Sequence, residues 1–217
     1  MLLHLIKKDI LLVKNNVLFM MFAIIAIPFF IAWRLPEAGS FRSPLAFIYM
    51  VVMGVLMICM FVSTAEAKYP KAASLLCALP YSRTTFVMAK YVLFLLIFAY
   101  CFIVHTLVSL ILSEIAPLSP TVVLASLLGI TIIYGIYMPC EFKFGYEKTK
   151  FVFMLSIFTL SFGTPLISNL MKRTNIDFSA LSAIPAAIQW LVLAAATIMI
   201  LFISVMASIK IYSGKEL

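Results

Sequence analysis

Six runs of roughly twenty mainly apolar residues, separated by short charged or proline-containing connections, account for most of this 217-residue chain. They fall at about 17–33, 44–63, 91–112, 121–140, 151–170 and 186–209. A helix rising about 1.5 Å per residue needs about 20 residues to cross a hydrocarbon core of about 30 Å. Inside that core every backbone amide and carbonyl must be satisfied within the chain, so an unbroken apolar run of this length folds as a spanning helix. The sequence therefore predicts an all-α integral membrane protein with six transmembrane helices. With 65% hydrophobic and 11% charged residues, the chain is far from the half apolar, quarter charged balance of soluble domains. No polar stretch between the runs reaches the roughly 50 residues of an independent domain, so 1–217 reads as one membrane domain. The first run is followed by no small-residue cleavage site and is not a removable signal.

The net charge of +8 is explained by topology. With the N-terminus inside, twelve of the sixteen basic residues fall on the cytoplasmic side, and only Arg34, Arg42, Lys172 and Arg173 fall outside. That is the positive-inside bias, and no nucleic-acid partner is needed to account for it. An even number of spans places both termini in the cytoplasm of a multi-pass plasma-membrane protein. Ahead of the first span, Leu2, Leu3, Ile6, Ile10, Val13 and Val17 recur every three or four residues as one apolar stripe. Lys7 and Lys14 flank the stripe, while His4, Lys8 and Asn15 lie around the other side. Residues 1–16 thus read as an interfacial helix on membrane lipids, its lysines toward anionic headgroups.

The outer connections are short, at 34–43, 113–120 and 171–185, whereas the inner one, 64–90, is the longest. Within it runs EAKYPKAASLLCALPYSRTTFVMAKY, from Glu66 to Tyr91. Pro70 can open a helix, where its missing amide costs nothing. Ala72, Leu75, Leu76 and Leu79 then share a face, Pro80 ends the helix, and Ser82 can cap the next one, which continues through Lys90 into the third span. The result is a short amphipathic helix at the cytoplasmic surface, suited to filling a groove on a protein partner.

Glu66, Leu75-Leu76, Leu79-Pro80, Ser82-Arg83 and Lys90-Tyr91 together resemble the pattern after the second span of ABC type 2 transporter permeases. The resemblance covers the whole chain and is closest to small bacterial permeases of multidrug, lantibiotic-immunity and cytolytic-peptide export systems. It implies that the short helix is a coupling helix seated in a separate ATP-binding subunit, with Glu66, Tyr69, Pro70, Leu75, Leu76, Leu79, Pro80, Ser82, Arg83 and Lys90 at the coupling site. Tyr69-Pro70 depart from the Gly-Thr-like pair of many members. A Glu66–Arg83 pair closing the loop is a further expectation. The resemblance also implies two ATPase subunits carrying ATP and magnesium, and a second permease, identical or homologous, completing the pathway. The function expected is export of amphipathic or hydrophobic cargo, a peptide or a drug.

No GxxxxGK[ST] phosphate loop occurs, so the chain itself is expected to hold no nucleotide and to be no enzyme. The competing readings are an intramembrane lipid- or peptide-modifying enzyme, and a passive channel or structural membrane protein. An enzyme needs converging catalytic groups, yet the only histidines are His4 and His105. A channel needs polar rings in its spans, which are nearly free of charge. His105, within the third span, is the one candidate pathway residue, against a plain interhelix hydrogen bond. Cys59, Cys77, Cys101 and Cys140 have no metal or disulfide spacing and read as packing residues. Glu141 reads as solvated beside Lys143, Lys148 and Lys150, and Pro28, Pro139 and Pro165 as candidate kinks.

Overall fold

Every apolar run that the structure describes folds as a helix longer than the run itself. In the computed structural model, residues 2–34, 42–68, 82–112, 115–151, 154–155 and 185–214 are described. They form α1 (Leu2–Leu12), α2 (Lys14–Arg34), α3 (Arg42–Lys68), α4 (Arg83–Ile111), α5 (Pro120–Phe144) and α6 (Ala186–Ser213). The last five are each long and apolar enough to cross a membrane. No strand occurs among the described residues, and the chain is an all-helical multi-pass membrane protein. Most of the expected span 151–170 and the segment 69–81 lie outside the described residues.

Local chemistry sets the helix ends. Ser82 Oγ accepts from the Thr85 amide at 3.2 Å, and Ser119 Oγ from the Val122 amide at 3.4 Å. Each satisfies one of the orphan donors of a first turn. α5 stops at Gly145, whose φ of 79° lies in the left-handed region that a side chain disfavours.

From α2 to α5 the helices alternate in direction, whereas α6 runs parallel to α5, the starts of the two meeting at Trp190 and Thr121 and their ends at Tyr212 and Phe142. Glu66 near the end of α3 meets Lys90 near the start of α4, and Phe86, Phe142 and Tyr212 cluster beside them. This is the N-terminal face of the bundle. At the opposite face Ser43 meets His105, and Trp190 Nε1 donates to Thr121 Oγ1 at 3.0 Å. α3 is the most enclosed span: Phe47, Met50, Val51, Val55 and Leu56 are all at or below 1% exposed. Gly54 makes that enclosure possible. A Cβ there would lie 2.9 Å from Ile24 Cδ1 and 3.1 Å from Cys101 Sγ, so a small residue lets α2 and α4 close on α3. Cys59 and Cys101 are buried packing residues, and Cys140 is partly buried.

Pro139 shows how the bundle repairs a helix break. Proline has no amide hydrogen, so the Gly135 carbonyl one turn earlier loses its helical donor. Ser204 of α6 donates to that carbonyl at 2.9 Å. Since Ser204 has a single hydroxyl proton, Tyr91 must donate to Ser204 Oγ (2.6 Å) and accept from Ser208 (2.9 Å). One polar chain thus runs from Ser208 through Tyr91 and Ser204 to Gly135, fastening α4, α5 and α6.

Candidate functional site

The charged residues of the N-terminal face converge on one node. Lys90 of α4 is 5% exposed, and its Nζ lies 2.9 Å from Glu66 Oε1 of α3 and 3.3 Å from Asp9 Oδ2 of α1. Lys8 Nζ lies 3.0 Å from Asp9 Oδ1 and 3.6 Å from Glu66 Oε1. The Lys8–Asp9 contact lacks the alignment of a hydrogen bond and acts as an ion pair only. Both ammonium groups stand 5.4 Å from the Phe86 ring centroid, within cation–π range. Tyr134 of α5 donates to the Lys90 carbonyl at 2.9 Å. A buried ammonium is costly unless its charge is met, and two carboxylates with an aromatic face meet this one.

Asp9 is what the reading of the sequence missed. The expected stripe of Leu2, Leu3, Ile6, Ile10, Val13 and Val17 is rotated in the fold: Leu3 is 74% exposed, and the packed face is Leu5, Ile6, Asp9, Val13 and Val17. Asp9 sits four residues from Leu5 and from Val13, on their side of the helix. A period count treats a carboxylate there as an interruption. It is buried because Lys90 reaches it from another helix. Lys8, assigned to the solvated side, likewise turns toward α3 and α4.

Glu141 is corrected as well. It is partly buried near Ser63, Tyr137 and Lys90, with Oε2 shielded and without a hydrogen bond. The neighbouring Tyr137 hydroxyl is also buried without a hydrogen bond of standard geometry. The last turn of α5 packs over α3, which removes Glu141 from the lysines that follow it.

A family model described as ABC-2 family transporter protein matches residues 4–213. The chain belongs to that family. It is the permease, the membrane transport subunit, of an ABC transporter, and permeases of this family generally work with an ABC ATPase subunit. No curated protein and no solved structure matches the chain.

In the permease, Glu66 and Lys90 are brought together, with Asp9 and Lys8 added to them. Ser82 caps α4. Arg83 donates from Nη1 to the Ser213 carbonyl at 2.8 Å and the Tyr212 carbonyl at 3.5 Å, a cation on the negative end of α6. The expected Glu66–Arg83 pair is therefore replaced by Glu66–Lys90. Lys90 lies about 10 Å further along the same side of α4 than Arg83, two helical turns on, level with the last turn of α3. Tyr69, Pro70, Leu75, Leu76, Leu79 and Pro80 lie outside the described residues.

His105 is at the other face and 1% exposed. Ser43 donates to the Ala116 carbonyl at 2.6 Å and so accepts from His105 Nε2 at 3.4 Å, while the ring stands edge-on to Phe47. These contacts tie α3, α4 and the connection after α4 together. Among the described residues, no group of three or more His, Cys, Asp or Glu side chains could hold a metal ion.

Proposed function

We propose that this permease serves an ATP-driven exporter. Two copies of an ABC ATP-binding subunit engage residues 69–81, and a second permease, identical or homologous, completes the pathway. The N-terminal face of the bundle is cytoplasmic. The observation that carries this reading is the ion-paired node at the foot of both helices that flank 69–81. Glu66 is the third residue before that segment, and Lys90 lies in α4 after it. A docked segment transmits displacement only if its two flanks move as one body. The Glu66–Lys90–Asp9 ties supply that stiffness and extend it to α1.

Other features agree. Both ends of the described chain lie at the same face, where Arg83 meets Ser213 beside the node. α5 ends there and α6 begins at the opposite face, which fits one more crossing between them and six spans in all. The spans are apolar apart from this end, which suits amphipathic or hydrophobic cargo, a peptide or a drug, over sugars and ions.

The test is co-expression with an ABC ATPase encoded beside the gene, followed by reconstitution. Leu76→Asp is expected to lose the ATPase on co-purification, because it sets a charge in an apolar contact. Glu66→Gln is expected to assemble, with cargo-stimulated ATP hydrolysis and export falling together on the order of ten-fold. A panel of cytolytic peptides and lipophilic drugs identifies the cargo. Normal assembly and export by both variants sinks the coupling role of this segment.

A further inference from the structure

Beside the node, a groove of about 420 Å3 opens where α1 turns into α2 against the end of α3. That volume is within the range of small-molecule sites. Its walls divide by chemistry. Leu11, Leu12 and Phe61 supply apolar surface, whereas Lys14, Asn15, Asn16 and Lys68 are exposed and polar. Thr64 donates its hydroxyl to the Met60 carbonyl at 2.6 Å and offers no hydrogen to a ligand. The lysines are the distinctive part. Among the described residues neither Lys14 nor Lys68 has a carboxylate partner, which they share with Lys7, Lys143, Lys148 and Lys210; what sets these two apart is that both line one groove with an apolar wall.

The depth of the groove is set by its own helices. α2 turns apolar from Val17 onward, and α3 is apolar up to Val62 before Thr64, Glu66 and Lys68. The lysines therefore mark the polar boundary of two membrane-crossing helices, and Phe61 lies on the hydrocarbon side of it. A ligand matching this arrangement carries an anion at one end and an alkyl chain at the other, and reaches the groove from within the bilayer.

We infer that this groove is a binding site for an anionic phospholipid, its phosphate held by Lys14 and Lys68 and an acyl chain lying along Leu11, Leu12 and Phe61. The inference needs α2 and α3 to cross a membrane and is independent of transport direction and cargo. A bound lipid there bridges the junction of α1 and α2 to the end of α3, in addition to the Asp9–Lys90 pair.

The test is native mass spectrometry of the purified permease, delipidated and titrated with phosphatidylglycerol or phosphatidylcholine. Phosphatidylglycerol is expected to be retained in preference. Lys14→Gln and Lys68→Gln should each weaken it roughly five-fold, whereas Lys210→Gln, a basic residue outside the groove, leaves it unchanged. Ala65→Trp keeps both lysines but fills the groove, and is expected to lose the same lipid. Circular dichroism checks that each variant is folded, and if Ala65→Trp is not, the lysine variants decide. Equal retention of the two lipids, retention unchanged in Lys14→Gln/Lys68→Gln, or displacement by millimolar inorganic phosphate (a free-anion site) overturns the proposal.

Discussion

The Asp9–Lys90 pair can be tested as a thermodynamic cycle. Their side chains are 2% and 6% exposed, so neither charge can turn to water when its partner is removed. Breaking a buried pair from one side costs about 3–5 kcal/mol, because an uncompensated charge stays behind. The geometry makes the two sides unequal. After Asp9→Asn, Lys90 keeps Glu66 at 2.9 Å, so the loss is reduced to about 2 kcal/mol. After Lys90→Met, Asp9 retains only Lys8, which is one-third exposed, and the loss is about 3 kcal/mol. The double variant removes both charges and should cost about 2 kcal/mol, well short of the sum of about 5. At about 2–4 °C per kcal/mol for a chain of this size, Lys90→Met should lower the melting temperature in detergent by about 6–12 °C. Docking of α1 gives a second readout. Leu5 is 3% exposed, so Leu5→Cys should resist maleimide in the otherwise native permease and react in the Lys90→Met background. If both single variants melt with the native protein, or the double variant falls by the full sum, the node does not hold α1 as argued.

Three further outcomes are expected. Ser204→Ala should cost about 0.6–1.7 kcal/mol in thermal unfolding, and the loss should shrink but not vanish in a Pro139→Ala background, where the residue 139 amide again serves the Gly135 carbonyl while the Tyr91 hydroxyl still lacks Ser204. Gly54→Ala should destabilise measurably, because the buried Ile24 Cδ1 and Cys101 Sγ must both give way, and Gly54→Leu should cost more, about 1–3 kcal/mol, read in the same melts. Single cysteines at Ser119 and Lys143 lie at opposite faces of the bundle, so an impermeant maleimide on sealed cells should label the first only, and labelling of Lys143→Cys would reverse the proposed orientation.

Five of the expected spans were legible because lipid leaves a twenty-residue apolar run a single solution, and the cap at Ser82 because a serine three residues before Thr85 meets an orphan amide locally. Both follow from chemistry within a few residues. The node does not. Asp9, Glu66 and Lys90 come from three helices, and the depth at which each enters the bundle decides their pairing. On the sequence Arg83 and Lys90 were equivalent cations after one loop, and only the antiparallel register of α3 and α4 separates them. Glu141 was misread for the same reason: three following lysines suggest water, but the partner of its helix end is α3. The one signal available for Asp9 was its position on the apolar side of α1, four residues from Leu5 and from Val13.

Two adjacent residues of α4 give the bundle its mechanical character. Lys90 reaches α1 and α3 through its ammonium and receives Tyr134 of α5 at its carbonyl, while Tyr91 joins α6 through Ser204 and Ser208. Neighbours on a helix point about 100° apart, so two consecutive side chains can address different neighbouring helices at one depth. Four helices are thereby tied to a single level of α4. α2 continues from α1 through Val13, the Val17 amide donating to the Val13 carbonyl at 2.9 Å, but it meets α3 and α4 by apolar packing around Gly54 and one hydrogen bond from Tyr100 to the Met21 carbonyl. Apolar contacts permit sliding, whereas a buried ion pair or a hydrogen-bond chain tolerates little change before a polar group is left unmet. On the proposed coupling, a push delivered next to Arg83 carries α1, α3, α5 and α6 with α4, while α2, joined to that group through α1 at one end, can shift only along its apolar contacts with α3 and α4.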